Sequence, residues 1–400
     1  MKAPPIPPNH HYAPFVAPIY PNEQQRILIA KTSGCCRYVY NTLLRDNTTK
    51  YDTYKANLAE GIHTPKPKLT YPELCRQLTI LRHTTRGQDG TYFLLEVSVV
   101  ALQQAVKDLY DAFQNFFSGR AGYPKPKKRS RRQSFMLTTQ GFQMHNSNIH
   151  LGNIPGDIPV GYGRKNHIRT MPSIPSSVTI VRKPTGEYHA SFTCIAPNKP
   201  TRGKGSVGLD LGLTTLVTTS EGIKYDNPKC YREAQARLCR IDKAIARCVV
   251  GSNRHEKLLI KRARLHAHIA NQRTDHHHKL SKKLVVKYRI INTEDLNVKG
   301  MAQHPTLAKP IYDASWSKFM NMLKYKAART GGTCTVIEVD RWLASSHICH
   351  HCGAQRTSKL KLSERTWQCD NCHMVHDRDI NAAKVIHKHG VIIVQDKAIA

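Results

Sequence analysis

Residues 349–386 contain CHHCG and WQCDNCHMVHDRDINAAKVI, that is, Cys349-His-His-Cys352, then Cys369-Asp-Asn-Cys372, then His376-Asp377-Arg378-Asp379-Ile-Asn-Ala-Ala. Two C-x-x-C knuckles separated by 16 residues have the spacing of a four-cysteine zinc ribbon. Each knuckle can put two thiolates on one turn, and four thiolates close a tetrahedral site. Four ordinary buried cysteines would not need two matching gaps. Cys349, Cys352, Cys369 and Cys372 are therefore expected to hold one structural Zn²⁺. The ribbon alone specifies no activity. The acidic segment behind it does more, because it can be matched to two isolated carboxylate motifs upstream.

The first of these lies in SVGLDLGLTTLVTTSEGIKY, a strand followed by a second strand and a turn. Val207, Leu209 and Leu211 alternate with Gly208, Asp210 and Gly212, so one face is apolar and the other carries a carboxylate between two glycines. Those glycines are expected to leave room beside the acid for a hydrated metal and a phosphate. The second lies in KKLVVKYRIINTED, read as a strand that finishes at Glu294-Asp295, with Asp295 on the face opposite Glu294. SWSKFMNMLKYKAARTGG reads as a helix with a glycine stop, and TCTVIEVD as a strand entering the ribbon. DINAAKVIHKHG reads as a helix from Asp379 to Gly390, with Asp377 placed to cap it.

A chain of 400 residues suggests two to four units. Lys and Arg number 61 against 28 Asp and Glu, a formal +33. Such an excess points to nucleic acid, through phosphate neutralisation and counterion release. No apolar run approaches the roughly 20 residues that span a bilayer, so no membrane partner is expected. The opening MKAPPIPPNHHY lacks the apolar core of a signal peptide. With no such signal, the eight cysteines outside the ribbon (Cys35, Cys36, Cys75, Cys194, Cys230, Cys239, Cys248, Cys334) read as reduced, small buried residues of a cytoplasmic protein.

Residues 22–118 read as mostly helical. Val99, Leu102, Val106, Tyr110, Phe113 and Phe117 recur at three- and four-residue steps, the buried face of one helix. In GYPKPKKRSRRQSF, Lys125, Lys127, Lys128, Arg129, Arg131 and Arg132 crowd eight positions among prolines, a segment suited to tracking phosphates. From Gln133 to Pro197 short strands are expected, with turns at Asn146-Ser-Asn, Pro155-Gly-Asp and Pro184-Thr-Gly-Glu, and a hairpin in SVTIVRKPTGEYHASFTCIA. Residues 228–283 read as a basic helical insert broken near Gly251-Ser-Asn.

Asp210 on a strand, Glu294 at a strand end and Asp379 at a helix start come from separate elements of one α/β unit. Three such acids are what a two-metal phosphodiesterase requires, with hard oxygen ligands that suit Mg²⁺. Spacing does not select these three from 28 acids. Taken singly, each reads as a surface carboxylate or a helix cap before it reads as a metal ligand.

Resemblance makes the selection. VGLDLGLTTLVT, IINTEDLNVKGM and CHHCG…WQCDNCHMVHDRDINAAKVI, in that order, resemble the three RuvC-type motifs and zinc ribbon of the TnpB family, transposon-associated RNA-guided DNA endonucleases related to type V CRISPR effectors. PNEQQRILIAKTSGCCRYVYNTLL, ALQQAVKDLYDAFQNFFSGRAGYPKPKKR, NQRTDHHHKLSKKLV, SWSKFMNMLKYKAARTGG and the WLASSHICHHCG entry to the ribbon look like family segments too, so the likeness runs from about residue 18 to 388. It implies catalytic, Mg²⁺-holding roles for Asp210, Glu294 and Asp379, two Mg²⁺ ions, and Asp377 as the fallback for the last. It further implies a multidomain α+β protein. A leader and first wedge strand (1–22) and a wedge β-barrel (121–200) would flank a helical recognition lobe (23–120). An RNase H-like (RuvC) α/β nuclease domain would follow (201–343 with its insert 228–283, and 375–400), split by the zinc ribbon (344–374). The Pro/His-rich leader and the run Thr274-Asp-His-His-His278 depart from the family pattern.

The implied partners are a guide RNA from the transposon end and double-stranded target DNA beside a short flanking motif, bound by a monomer in the cytoplasm at the nucleoid. Arg37, Tyr38 and Asn41, the basic run Lys125, Lys127, Lys128, Arg129, Arg131 and Arg132, and Arg273 and Lys279 on the insert are the candidate nucleic-acid contacts. Arg37, Arg273 and Lys279 read equally as surface charge, and Tyr38 as core. A compact type V CRISPR effector, a cleavage-silent RNA-guided repressor and a strand-transferring transposase are the competing readings. The intact acids disfavour the repressor, and the ribbon placed just before D-x-N-A-A disfavours the transposase.

Overall fold

The computed structural model describes residues 6–130, 132–161, 170–356, 358, 360 and 364–399. The chain divides into two compact units, one built on Tyr12–Ala196 and the other on Pro197–Ala400 with Pro7–His11.

The first unit opens with β1 (His10–Ile19) and three helices, α1 (Glu23–Ala59), α2 (Tyr71–Thr84) and α3 (Val99–Phe117). Asn22 and Gln25 form a reciprocal capping box that starts α1, and the Thr70 side chain caps α2. Leu102, Val106 and Phe113 bury as the periodicity of α3 predicts, but Phe117, past the last packed turn, stays 65% exposed. Six strands follow: β2 (Gln133–Thr138), β3 (Phe142–His145), β4 (Asn148–Leu151), β5 (Ile154–Pro159), β6 (Ser177–Arg182) and β7 (Tyr188–Pro197). They form a four-stranded sheet ordered β1-β7-β6-β2 and a three-stranded sheet ordered β3-β4-β5. A single bridge, Ile19 to Val160, supplements these ladders. The expected β6–β7 hairpin is present in antiparallel register from Ser177–Thr193 to Arg182–Tyr188. Pro155-Gly-Asp is not a turn. It lies within β5, where the register against β4 slips and Gly156 takes φ +75°. Helices and strands of this unit share one core, from Ile29 and Leu109 through Phe135 and Ile158 to Phe192.

The second unit contains β8 (Ser206–Leu211), β9 (Thr215–Thr219), β10 (Lys224–Asp226), α4 (Cys230–Ala246), α5 (Asn253–Lys287), β11 (Ile290–Glu294), α6 (Val298–Met301), α7 (Ala308–Ala314), α8 (Trp316–Ala328), β12 (Thr335–Val339), β13 (Thr366–Gln368), β14 (Val375–Asp377) and α9 (Arg378–Ile399). Its five-stranded sheet is ordered β10-β9-β8-β11-β12. β9 runs antiparallel to β8 and β10, and β11 runs parallel to β8 and β12. Val207, Leu209 and Ile291 face α5 and α8, joining Leu284, Phe319 and Leu323 in a core, while α9 packs on the other face. Residues 282–287, expected as strand, finish α5 instead, because Leu284 and Val285 lie on its buried face.

Two glycines set the distance between α9 and the sheet. α9 runs through Gly390, expected as its stop, to Ile399. A Cβ at Gly390 would collide with the Asn292 side chain on β11, so this glycine admits close packing in place of ending the helix. Gly208 likewise faces the Ala383 carbonyl and the His387 amide of α9, not the open space expected beside Asp210. Of the departing histidine run, His277 is wholly buried, 5.5 Å from the Phe319 ring, and burial pushes its pKa down to about 4.

Candidate active site and metal centre

The parallel ladder from Ile290–Ser206 to Thr293–Leu209 places Glu294 one step on, beside Asp210. Odd residues of both strands face α8, as the Thr293 hydroxyl bonded to Met320 Sδ shows. Even residues face α9. On that helix Asp379, Ala383 and His387 stand one turn apart on a single face. Ser206 Oγ lies 2.6 Å from His387 Nε2 and Gly208 lies under Ala383, so the next even residue, Asp210, reaches toward Asp379. The three carboxylates therefore converge at one corner of the sheet, each delivered by a different element.

Their electrostatics record the convergence. Burial raises the Asp210 carboxyl well above its ordinary range, and the charges of Glu294 and Asp379 raise it further, against Arg378 and Arg365. Burial also raises Glu294, opposed by a hydrogen bond from the Ser345 hydroxyl to Oε1. Arg378 and Arg365 offset part of the Asp210 rise, and carboxylate oxygens are hard donors of the kind that suits a divalent cation. Asp377 has a different place. Its Oδ1 accepts the backbone N–H groups of Asp379 at 3.1 Å and Ile380 at 3.0 Å, and Oδ2 pairs with Lys224 at 2.7 Å. It is the N-cap of α9. Asp295 turns away from the cluster to pair with Arg341.

Two residues at the cluster escaped the sequence reading. Ser345 holds Glu294, and Arg365 reaches Asp379 Oδ1 at 3.4 Å and Thr214 Oγ1 at 3.3 Å. Neither carries a spacing signal, since both arrive from the segment around the ribbon.

Cys349, Cys352, Cys369 and Cys372 bring their sulfurs within 4.8 Å of one another. Cys349 and Cys372 Sγ are 3.7 Å apart, and Cys352 and Cys369 Sγ 3.6 Å apart. Those are close to the edge, about 3.8 Å, of a tetrahedron with Zn–S bonds of about 2.3 Å. The four thiols thus fit a tetrahedral metal ion. Asn381 joins this centre to α9: its Nδ2 donates to the Ile348 carbonyl at 2.7 Å and its Oδ1 accepts from the His350 amide at 3.0 Å.

The candidate nucleic-acid contacts are dispersed. In the first unit, Asn41 exchanges two hydrogen bonds with the Lys127 backbone, 3.0 and 2.7 Å, and so clamps the basic segment to α1. Lys127 Nζ lies 4.2 Å from the Tyr40 ring centroid and 3.2 Å from Asp108. Lys125, Lys128, Arg129 and Arg132 are exposed, Arg37 is half-buried, and Tyr38 meets Phe93 edge-on. Arg131 lies outside the described residues. In the second unit, Arg273 bonds the Tyr312 carbonyl at 3.0 Å, and Lys279 pairs with Asp275 in an exposed position.

Comparison with known proteins follows the same lines. A family profile described as "Probable transposase" matches residues 181–304, and one described as "Cas12f1-like, TNB domain" matches residues 316–386. A third, "Helix-turn-helix domain", matches residues 17–56, which here form the end of β1 and one long helix. A "Putative RNA-guided DNA endonuclease" of Streptomyces pristinaespiralis is 36% identical over 93% of this chain and 88% of its own length. The "Putative RNA-guided DNA endonuclease InsQ" of Escherichia coli K12 is 27% identical over 93% and 90%. Among solved structures, a chain of a Cas12f1-sgRNA-target DNA complex superposes with a TM-score of 0.51 at 11% identity, covering 95% of this chain and 99% of its own. No helix among the described residues is long and apolar enough to cross a membrane.

Proposed function

The chain belongs to the TnpB family of RNA-guided DNA endonucleases, and from that membership we propose that it cuts double-stranded DNA by metal-dependent phosphodiester hydrolysis in a single RuvC-like site. The observation that supports the reading is the convergence of Asp210, Glu294 and Asp379, where burial first and then the charges of the other two acids raise the Asp210 carboxyl. These three would hold a pair of Mg²⁺ ions, which supply an ionised water and neutralise the departing 3′ oxygen. The chain's own groups do the rest. Ser345 fixes the rotamer of Glu294, Asp377 fixes the start of α9 and with it Asp379, and Arg365 stands where an incoming phosphate needs a cation. The cysteine centre, holding one Zn²⁺, anchors the far side of that helix through Asn381.

The +33 charge supports a guide RNA transcribed from the transposon end and a target duplex with a short flanking motif as partners. Helices 23–120 would form the recognition lobe, the strands of 121–200 with the N-terminal strand the wedge, and the five-stranded sheet the RNase H-like nuclease core. Lys125, Lys128, Arg129 and Arg132 are the exposed cations we place on the nucleic-acid path, in a protein acting as a monomer with its RNA at the nucleoid.

The test is to express the chain with its native flanking DNA, sequence the RNA that copurifies, and challenge the complex with a plasmid library of flanking motifs. A transposon-end RNA with a variable 3′ segment and Mg²⁺-dependent cuts beside one motif are expected. A CRISPR-repeat RNA would establish the compact-effector reading. Binding without cuts would establish the repressor.

A further inference from the structure

The chain has three tryptophans. Trp316 and Trp367 are buried, whereas Trp342 is 85% exposed. A lone exposed apolar side chain is ordinary on a protein surface. The loop that carries this one is held from both sides. Val339, the end of β12, pairs with Glu294, so Trp342 stands three positions beyond the strand partner of a cluster carboxylate. Immediately before it, Arg341 Nε donates to Asp295 Oδ2 at 2.9 Å. Three residues after it, Ser345 donates to Glu294 itself. Within the loop, the Trp342 amide donates to Asp340 Oδ1 at 2.8 Å and the Leu343 amide to the Asp340 carbonyl at 3.1 Å. The backbone is thus closed into a turn and tied at both ends to the strand that carries Glu294. Trp342 lines an open cleft of about 390 Å³ with Asp295, Glu338, Val339, Asp340 and Arg341. Three residues of chain reach at most about 11 Å and strands lie about 4.8 Å apart, which puts the Trp342 backbone within roughly 16 Å of Glu294.

An indole that faces solvent on a hydrogen-bonded turn, a few positions from the strand partner of Glu294, suits the flat face of an unpaired base. Every base has a π-face, so such a platform grips single strands whatever their sequence. Resting on the nuclease reading above, we infer that Trp342 is a positioning residue that stacks on a base of the single DNA strand lying in the Asp210–Glu294–Asp379 site, a few nucleotides from the bond to be cut. Arg341, tied to Asp295, braces the loop, so the strand is gripped by base stacking on the indole.

Because the other two tryptophans are buried, the intrinsic fluorescence of the RNA-loaded protein reports on position 342. The protein with its RNA is titrated with a twelve-nucleotide oligothymidylate in Mg²⁺-free buffer, and the same oligomer with a dye is followed by anisotropy. Saturable quenching in the wild type is expected. Trp342→Ala should weaken oligomer binding about tenfold and raise KM for target cleavage by a similar factor with kcat little changed. Trp342→Phe should lose the quenching but restore affinity. Equal affinity of Trp342→Ala and wild type, or quenching by oligouridylate but not by oligothymidylate, overturns the platform. No quenching in the wild type, with its cleavage intact, overturns the platform alone. Quenching with no cleavage under any guide supports it and overturns the nuclease reading.

Discussion

Gly208 on β8 lies directly against the backbone of Ala383 on α9. A Cβ at position 208 would run into the Ala383 carbonyl oxygen and come within 2.7 Å of the His387 amide nitrogen. Both obstacles are backbone, so no rotamer change relieves them, and α9 must lift from the sheet. Asp379 starts that helix one turn before Ala383 and would lift with it. Gly208→Ala is expected to cost about 2–3 kcal/mol of stability and about 100-fold in cleavage. Thermal unfolding and single-turnover cleavage check it. Wild-type cutting by this variant would show that the helix–strand contact does not position the third acid.

The raised acids give a pH signature. Asp210 and Glu294 are pushed above their unfolded values by burial, and Asp210 also by its acidic neighbours. Their protonated forms therefore favour the fold below the unfolded pKa of about 4, and that contribution is lost as pH rises through the folded values. Without divalent ions, Asp210→Asn should melt a few degrees above wild type at pH 8 and level with it near pH 4. Mg²⁺ should raise the wild-type melting temperature at pH 8 and leave Asp210→Asn nearly unmoved. A Mg²⁺ shift of equal size in both proteins would place the ions elsewhere.

How much of this was readable beforehand depends on which interactions are local. The knuckles of the ribbon were readable, because C-x-x-C confines two ligands to one turn. The alternation of Val207, Leu209 and Leu211 gave the correct buried face of β8. The glycines misled, since Gly208 and Gly390 looked like space for a ligand and a helix stop. Both in fact admit a neighbouring element, and close approach between segments distant in sequence has no local signature. Residues 282–287 misled similarly: Leu284-Val285-Val286 is β-prone in isolation, and burial against the sheet made it helix. Ser345 lies in the family-like segment WLASSHICHHCG, but nothing in that segment marks its hydroxyl as a partner of Glu294, and Arg365 lies in no such segment. The choice of Asp210, Glu294 and Asp379 among 28 acids came from family likeness, and physics alone found their convergence only in three dimensions.

Asp377 and Asp379 are two residues apart and separable by experiment. Burial works against the Asp377 charge, but Lys224 and the amides of Ile380 and Asp379 outweigh it and hold the carboxyl below its ordinary range. Such a carboxylate stabilises the fold above its unfolded pKa, near 4, and less as pH falls further. Asp377→Ala should cost about 1 kcal/mol, the worth of a helix cap, and slow cleavage about tenfold through the slackened start of α9. Asp377→Asn or Asp377→Ser, which can still cap, should recover most of that rate. Asp379→Ala should leave no cleavage at neutral pH. If Asp377→Asn is dead and Asp379→Ala active, the third acid is Asp377.

The cysteine centre should matter to catalysis without touching substrate, and Asn381 is the reason. Its side chain bonds Ile348 and His350 on the first knuckle while its backbone sits in the opening turns of α9, two residues from Asp379. Loss of the metal would loosen the first knuckle and release that side chain. Elemental analysis is expected to find one zinc per chain, and Cys369→Ser to lose it, since three thiolates bind far more weakly than four. That variant should unfold at lower temperature and cut at least tenfold more slowly. Asn381→Ala, with zinc retained, should reproduce part of the loss in rate, because it severs the same link from the helix side. Zinc-free protein that folds and cuts normally would break the chain of reasoning at its first step. Full activity of Asn381→Ala with zinc bound would break it at the second.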